Sequence, residues 1–178
     1  SQITFASVAL GDALAFHIVA PLAPSLIAAM PQVSGEFVAA LGAQTGEGGV
    51  ALAGATRAFP GRGVADLVAA QSASAALASL VATALADAMT WRGARVDRRR
   101  IADPLVAQAF SGRDHCIAEG LIPPEDIWET LSRGMKQATA LREKRQFQVA
   151  AFALKGRGRT LGPVSGDRLL RFGVSEWR

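Results

Sequence analysis

The chain has 178 residues, half of them apolar and 19% charged, which is the make-up of a folded protein and excludes a largely disordered tail. Its length suits one compact domain with a single substantial core, and is short for two. The formal net charge is +4, unevenly spread: residues 1–90 hold two basic and five acidic side chains, a net of −3, whereas residues 91–178 hold seventeen and ten, a net of +7.

A basic half favours encounters with phosphate-bearing or acidic partners and carries no information about fold. The single cysteine, Cys116, cannot close an internal disulfide, so the expected compartment is the cytoplasm. The apolar stretch Val8 to Met30 has no basic start of the secretory kind. It contains Asp12, His17, Pro21, Pro24 and Pro31 within or beside it, which argues against a membrane span and for a buried strand, a turn and a short helix.

In chain order, Ile3 to Leu10 alternates loosely up to Gly11 and predicts a strand, with Leu14 to Ala20 its partner. Thr45-Gly46-Glu47-Gly48 has hairpin length between the arms Gly35–Gln44 and Gly49–Phe59, and Pro60-Gly61-Arg62-Gly63 stops the second arm. From Val64 to Met89 the large apolar residues recur every three or four positions, which predicts one long helix. Its small-residue middle, QSASAALAS, lets a neighbour approach closely and makes that helix central.

WRGARVDRRR, Trp91 to Arg100, reads as a break. Asp103-Pro104 is an N-cap followed by proline at the first helical position, opening a helix to about Phe110. Leu121 to Asp126 is a second such start, with two carboxylates in the first turn and a helix expected to run to about Arg145. Gln146 to Leu154 predicts a strand, Lys155 to Gly166 a glycine-rich loop, and Arg168 to Val174 a short last strand. The expected fold is therefore α+β: a mainly antiparallel sheet of about four to six strands, packed against one long central helix and further helices of the C-terminal half. It forms a single domain, residues 1–178, strand-rich over 1–63, helical over 64–145, and ending over 146–178 in a strand and a glycine-rich basic loop.

Three residues are candidates for catalysis. SGRDHCIAEG sets His115 beside Cys116, after Asp114, and so supplies a nucleophile, a base and an orienting group. Adjacent residues of a helix point about 100° apart, however, so the plainer expectation is a helix start capped by Ser111 or Asp114 with Cys116 turned inward. His17, inside LAFHIVA, is expected as a hydrogen-bonded core residue or, facing a cleft, as an acid/base tuned by Asp12. One cysteine and two histidines offer no cluster at zinc spacing, so neither metal nor cofactor is expected.

The anion-binding candidates are Arg95, Arg98 and Arg99 in the first basic run and Lys155, Arg157 and Arg159 in KGRGRTLGPVSGDR. Glycines let backbone N–H groups approach a phosphate, and paired guanidinium groups clamp one bidentately. The loop lacks phosphate-loop and dinucleotide spacing, and the alternatives are a solvated hairpin and ordinary ion pairs with Asp97, Asp103 and Glu125.

Two stretches, ITFASVALGDALAFHI from Ile3 and AEGLIPPED from Ala118 to Asp126, resemble pieces of the formaldehyde-activating enzyme family, which condenses formaldehyde with a tetrahydropterin. No strand with an aromatic–histidine end follows the second stretch, and the family's tyrosine-bearing helix has no counterpart in a chain without tyrosine. The chain is not assigned to that family. The resemblance implies only an acid/base role for His17 in an enzyme alternative.

The function expected is thus a non-catalytic subunit, oligomeric or in a protein complex, that offers a basic surface to nucleic acid, a phosphate-bearing ligand or an acidic protein, with no membrane partner. The alternative is a small-molecule enzyme, with His17 or His115 as acid/base, arginines holding an anionic substrate, and chemistry of the aldehyde/pterin lyase type.

Overall fold

The computed structural model describes residues 5–10, 13–18, 46–54, 62–93, 96–100, 114–118, 121–162 and 176–177. Its elements are β1 (Phe5–Leu10), β2 (Ala13–Ile18), β3 (Gly46–Ala53), β4 (Leu67–Ser72), α1 (Ala75–Ala88), β5 (Val96–Arg100), β6 (Asp114–Ala118), α2 (Pro124–Glu143), β7 (Val149–Leu154), β8 (Arg157–Leu161) and β9 (Glu176–Trp177). The main sheet has the order β1-β2-β3-β4-β7-β8-β9, and β5 and β6 form a separate two-stranded sheet. All pairings are antiparallel except β8 with β9, so the α+β class with helices against an antiparallel sheet holds. The main sheet is wider than the four to six strands expected.

Register assigns the faces. Ala51 pairs with Ala70, Ala53 with Val68, Ala70 with Ala150 and Val68 with Phe152, so these residues share one face. They belong to the same buried cluster as Ala78, Val81, Ala82, Leu85 and Ala86 of α1 and Ile127, Leu131 and Ala138 of α2, which puts both helices on that face. α1 lies over β2, β3 and β4, α2 over β7 and β8, and the helices touch each other.

Small residues on both sides set how closely α1 sits. Ala78, Ala82 and Ala86 recur every four positions along the helix and meet a strand face of Gly49, Ala51 and Ala53. A Cβ on Gly49 would run into the backbone of Ala75, so glycine there permits the approach. The large side chains lie further along: Phe152, Leu85, Met89 and Leu131 are fully buried, and a Cβ on Gly134 of α2 would stand 2.8 Å from Met89 Cγ. Burial of each such side chain contributes roughly 1.5–3 kcal/mol.

The helix ends follow local chemistry. Ser74 caps α1, its Oγ accepting from the Leu77 N–H at 3.2 Å. α2 opens at Pro123-Pro124 with Glu125 and Asp126 in its first turn, and its C-terminus close to Arg145 is as expected from the sequence. It closes with the Gln146 N–H donating to Leu141 O at 3.1 Å and the Arg145 N–H to Arg142 O at 2.8 Å, a Schellman arrangement with Arg145 at φ 56° where glycine is usual.

Five expectations are corrected. The long helix Val64–Met89 is a strand, β4, followed by the shorter helix α1. β4 lacks the alternation of a strand because it is buried on both faces: Leu67, Ala69 and Gln71 on the side away from the helices are as inaccessible as Val68 and Ala70. Gly46-Glu47-Gly48, expected as a turn, lie inside β3, paired with Ile18, His17 and Phe16. The break Trp91–Arg100 contains β5, and SGRDHCIAEG contains β6 rather than a helix start; the two strands satisfy each other's backbone groups. The loop from Lys155 is strand β8 over Arg157–Leu161, hydrogen-bonded to β7. The helix expected from Asp103, the arm Gly35–Gln44, the short helix before Met30 and the strand Arg168–Val174 lie outside the described residues.

Candidate anion-binding site on the β7–β8 hairpin

The hairpin is short and regular. Leu154 pairs with Arg157, leaving Lys155 and Gly156 as a two-residue turn with φ of 48° and 76°, positive at both positions as the right-handed twist of the strands demands. Asp66, just before β4, fastens this turn: its carboxylate accepts from the Lys155 backbone N–H and lies 3.3 Å from Lys155 Nζ. Lys155, expected to bind an anion, is thereby engaged with an internal carboxylate. Both side chains are about two-fifths exposed, so the pair contributes no more than about 1 kcal/mol.

Past the turn, Arg157 pairs with Leu154, Arg159 with Phe152 and Leu161 with Ala150, which places all three on the helix-bearing face of β8. There they meet Trp128 of α2. The Arg159 Cζ lies 5.5 Å and the Arg157 Cζ 5.8 Å from the indole centroid, both within cation–π range. Trp128 is half-buried and packs on the common core, so the ring that holds the two guanidinium groups is itself held.

Two carboxylates on the same helix, Asp126 and Glu129, are engaged elsewhere. Asp126 accepts from Trp91 Nε1 at 2.9 Å, and Glu129 pairs with Arg133, which also donates to Thr90 O. Arg159 makes no ion pair among the described residues, and its Nε–H is buried without an acceptor. A buried donor left unmade costs about 1–3 kcal/mol.

The other candidates are dispersed. Arg98 and Arg99 lie in β5, opposite Cys116 and His115 of β6, and belong to a different sheet from Arg157 and Arg159; Arg95 lies outside the described residues. His115 and Cys116 are consecutive residues of β6, paired with Arg99 and Arg98. His17 is exposed on β2, opposite Glu47, rather than in the core as expected. Asp12 lies outside the described residues. Among the described residues no three His, Cys, Asp or Glu side chains gather to hold a metal ion, and no helix is long and apolar enough to cross a membrane. Trp128 is the site residue that sequence reasoning missed.

No protein-family model, no curated protein and no solved structure matches the chain.

Proposed function

We propose that the protein is a non-catalytic subunit, cytoplasmic and acting in an oligomer or complex, that presents the β7–β8 hairpin to an anionic partner. The observation that supports this reading is the pair of guanidinium groups of Arg157 and Arg159 gathered on the ring of Trp128, with no ion pair to Arg159 among the described residues. Two guanidinium groups on one aromatic platform suit an oxyanion, because the platform fixes their positions before the ligand arrives. The basic strand β5 supplies further positive charge, and no cofactor is required.

The test is a titration of the full chain with a single-stranded oligonucleotide, with inorganic polyphosphate and with polyglutamate, at several salt concentrations. Phosphate contacts release counterions, so log K is expected to fall by about 0.7–0.9 per log unit of salt for each contact. Arg159→Gln should reduce that slope by about one contact, and binding to polyglutamate alone would make the partner an acidic protein. Absence of binding to all three at low salt overturns the reading. The enzyme alternative keeps one observation, the exposure of His17. Replacing His17 and His115 together by Gln leaves a binding subunit intact and disables an enzyme that uses either as acid/base.

A further inference from the structure

β8 is held unequally by its two neighbours. On one side β7 pairs with it antiparallel from Leu154↔Arg157 to Ala150↔Leu161, and the turn that joins the two strands is fastened to Asp66. On the other side β9 pairs with it in parallel through two residues, Glu176 and Trp177. A parallel pair is slightly weaker per residue, and a pairing this short has little to hold it against local opening. β9 can therefore leave β8 while the hairpin keeps its shape.

What β9 sets against the hairpin is matched to it residue by residue. Glu176 stands at the register position of Arg157, and Trp177 at that of Gly158. Register partners of neighbouring strands share a face, so the acidic residue belongs to the face on which Arg157 and Arg159 meet Trp128. Gly158, between the two arginines, is buried and belongs to the other face. An aromatic residue beside a strand glycine is the type that restores the packing such a glycine lacks. An acid set against an arginine and a large ring set against a glycine thus fall in one dipeptide.

We propose that β9 is an internal competitor for the arginine pair: docked on β8, it keeps an acidic residue at the Arg157 position, and an anionic partner gains both arginines only when β9 lets go. This rests on the reading of the hairpin as an anion-binding site and adds the regulation of that site. The apparent affinity is then the intrinsic one reduced to the fraction of chains in which β9 is undocked. By linkage, a bound anion in turn favours the undocked state.

The experiment titrates the full chain and three variants with inorganic polyphosphate at low salt. Glu176→Gln is expected to raise affinity about two- to fivefold, the range of a single cross-strand ion pair. Trp177→Ala, which changes no charge and loosens β9, is expected to raise it at least threefold. Glu143→Gln, an exposed carboxylate removed at the far end of α2, makes the same change of net charge and is expected to leave affinity within about 1.5-fold of wild type. At saturating polyphosphate the backbone amides of Glu176 and Trp177 in the wild type should exchange hydrogen faster than in the free chain. Equal gains from Glu176→Gln and Glu143→Gln would reduce the effect to net charge and overturn the proposal. So would an affinity that Trp177→Ala leaves unchanged or lowers, or slower exchange in β9 on binding; in each of these cases polyphosphate still binds and the anion-binding reading stands. If neither the wild type nor any variant binds, both fall together.

Discussion

α1 and α2 rest on the same face of the same sheet, yet they are built on opposite rules. α1 buries a stripe of alanines against glycine and alanine strands and leaves an almost charge-free surface outside. α2 buries Ile127, Leu131, Gly134 and Ala138 at helical spacing and turns charge outward. Close packing does for α1 what amphipathicity does for α2. The difference extends to the strands, since β1 at the α1 end of the sheet is uncharged, whereas β8, one strand in from the other edge, carries a pair of arginines on Trp128.

Substitutions break this comparison in graded steps. The largest effect is expected at Phe152→Ala, on β7 where the two helices meet: a ring with no exposed surface is lost against Met89 and Gly134, and stability by denaturant unfolding should fall by about 3–5 kcal/mol. Next is Ala78→Leu, which forces three extra carbons between α1 and the strands and should cost about 1–3 kcal/mol, whereas Ala76→Leu on the exposed side should change stability by less than about 0.5 kcal/mol. Equal effects from the two would show that α1 is not seated by its alanine stripe. Arg145→Gly should raise stability by about 1 kcal/mol, because a left-handed backbone at the end of α2 then carries no Cβ, and the gain should appear as a higher Tm. The smallest change belongs to Glu129→Gln, which removes an exposed i,i+4 pair with Arg133 and should cost about 0.3–0.5 kcal/mol at low salt and less at high salt.

Part of the candidate site was legible and part was not. Arg157 and Arg159 stood out as basic residues alternating with glycine, and alternation is itself the mark of one strand face, so their shared orientation follows once β8 is known to be a strand. Lys155 looked equivalent to them in the sequence, but the hairpin turn delivers it to Asp66, 89 positions away. Trp128 carried no signal at all, because its meeting with the arginines depends on α2 lying along β8, a contact that no local pattern encodes.

What the sequence determined by itself was local: the α+β class, the prolines and carboxylates that open α2, the periodicity that carries it to Glu143, and the paired strands at β1–β2 and β7. Each rests on spacing or capping that acts within a few residues. The tertiary structure alone decided that Leu67–Ser72 is a strand, that Asp114–Ala118 pairs with Val96–Arg100, and that Lys155 meets Asp66 while Arg157 and Arg159 meet Trp128. The physical reason is common to all three. A segment buried on both faces loses the alternation that would name it, a strand needs a distant partner for its backbone hydrogen bonds, and a charge is spent or spared by whichever residues the fold brings beside it.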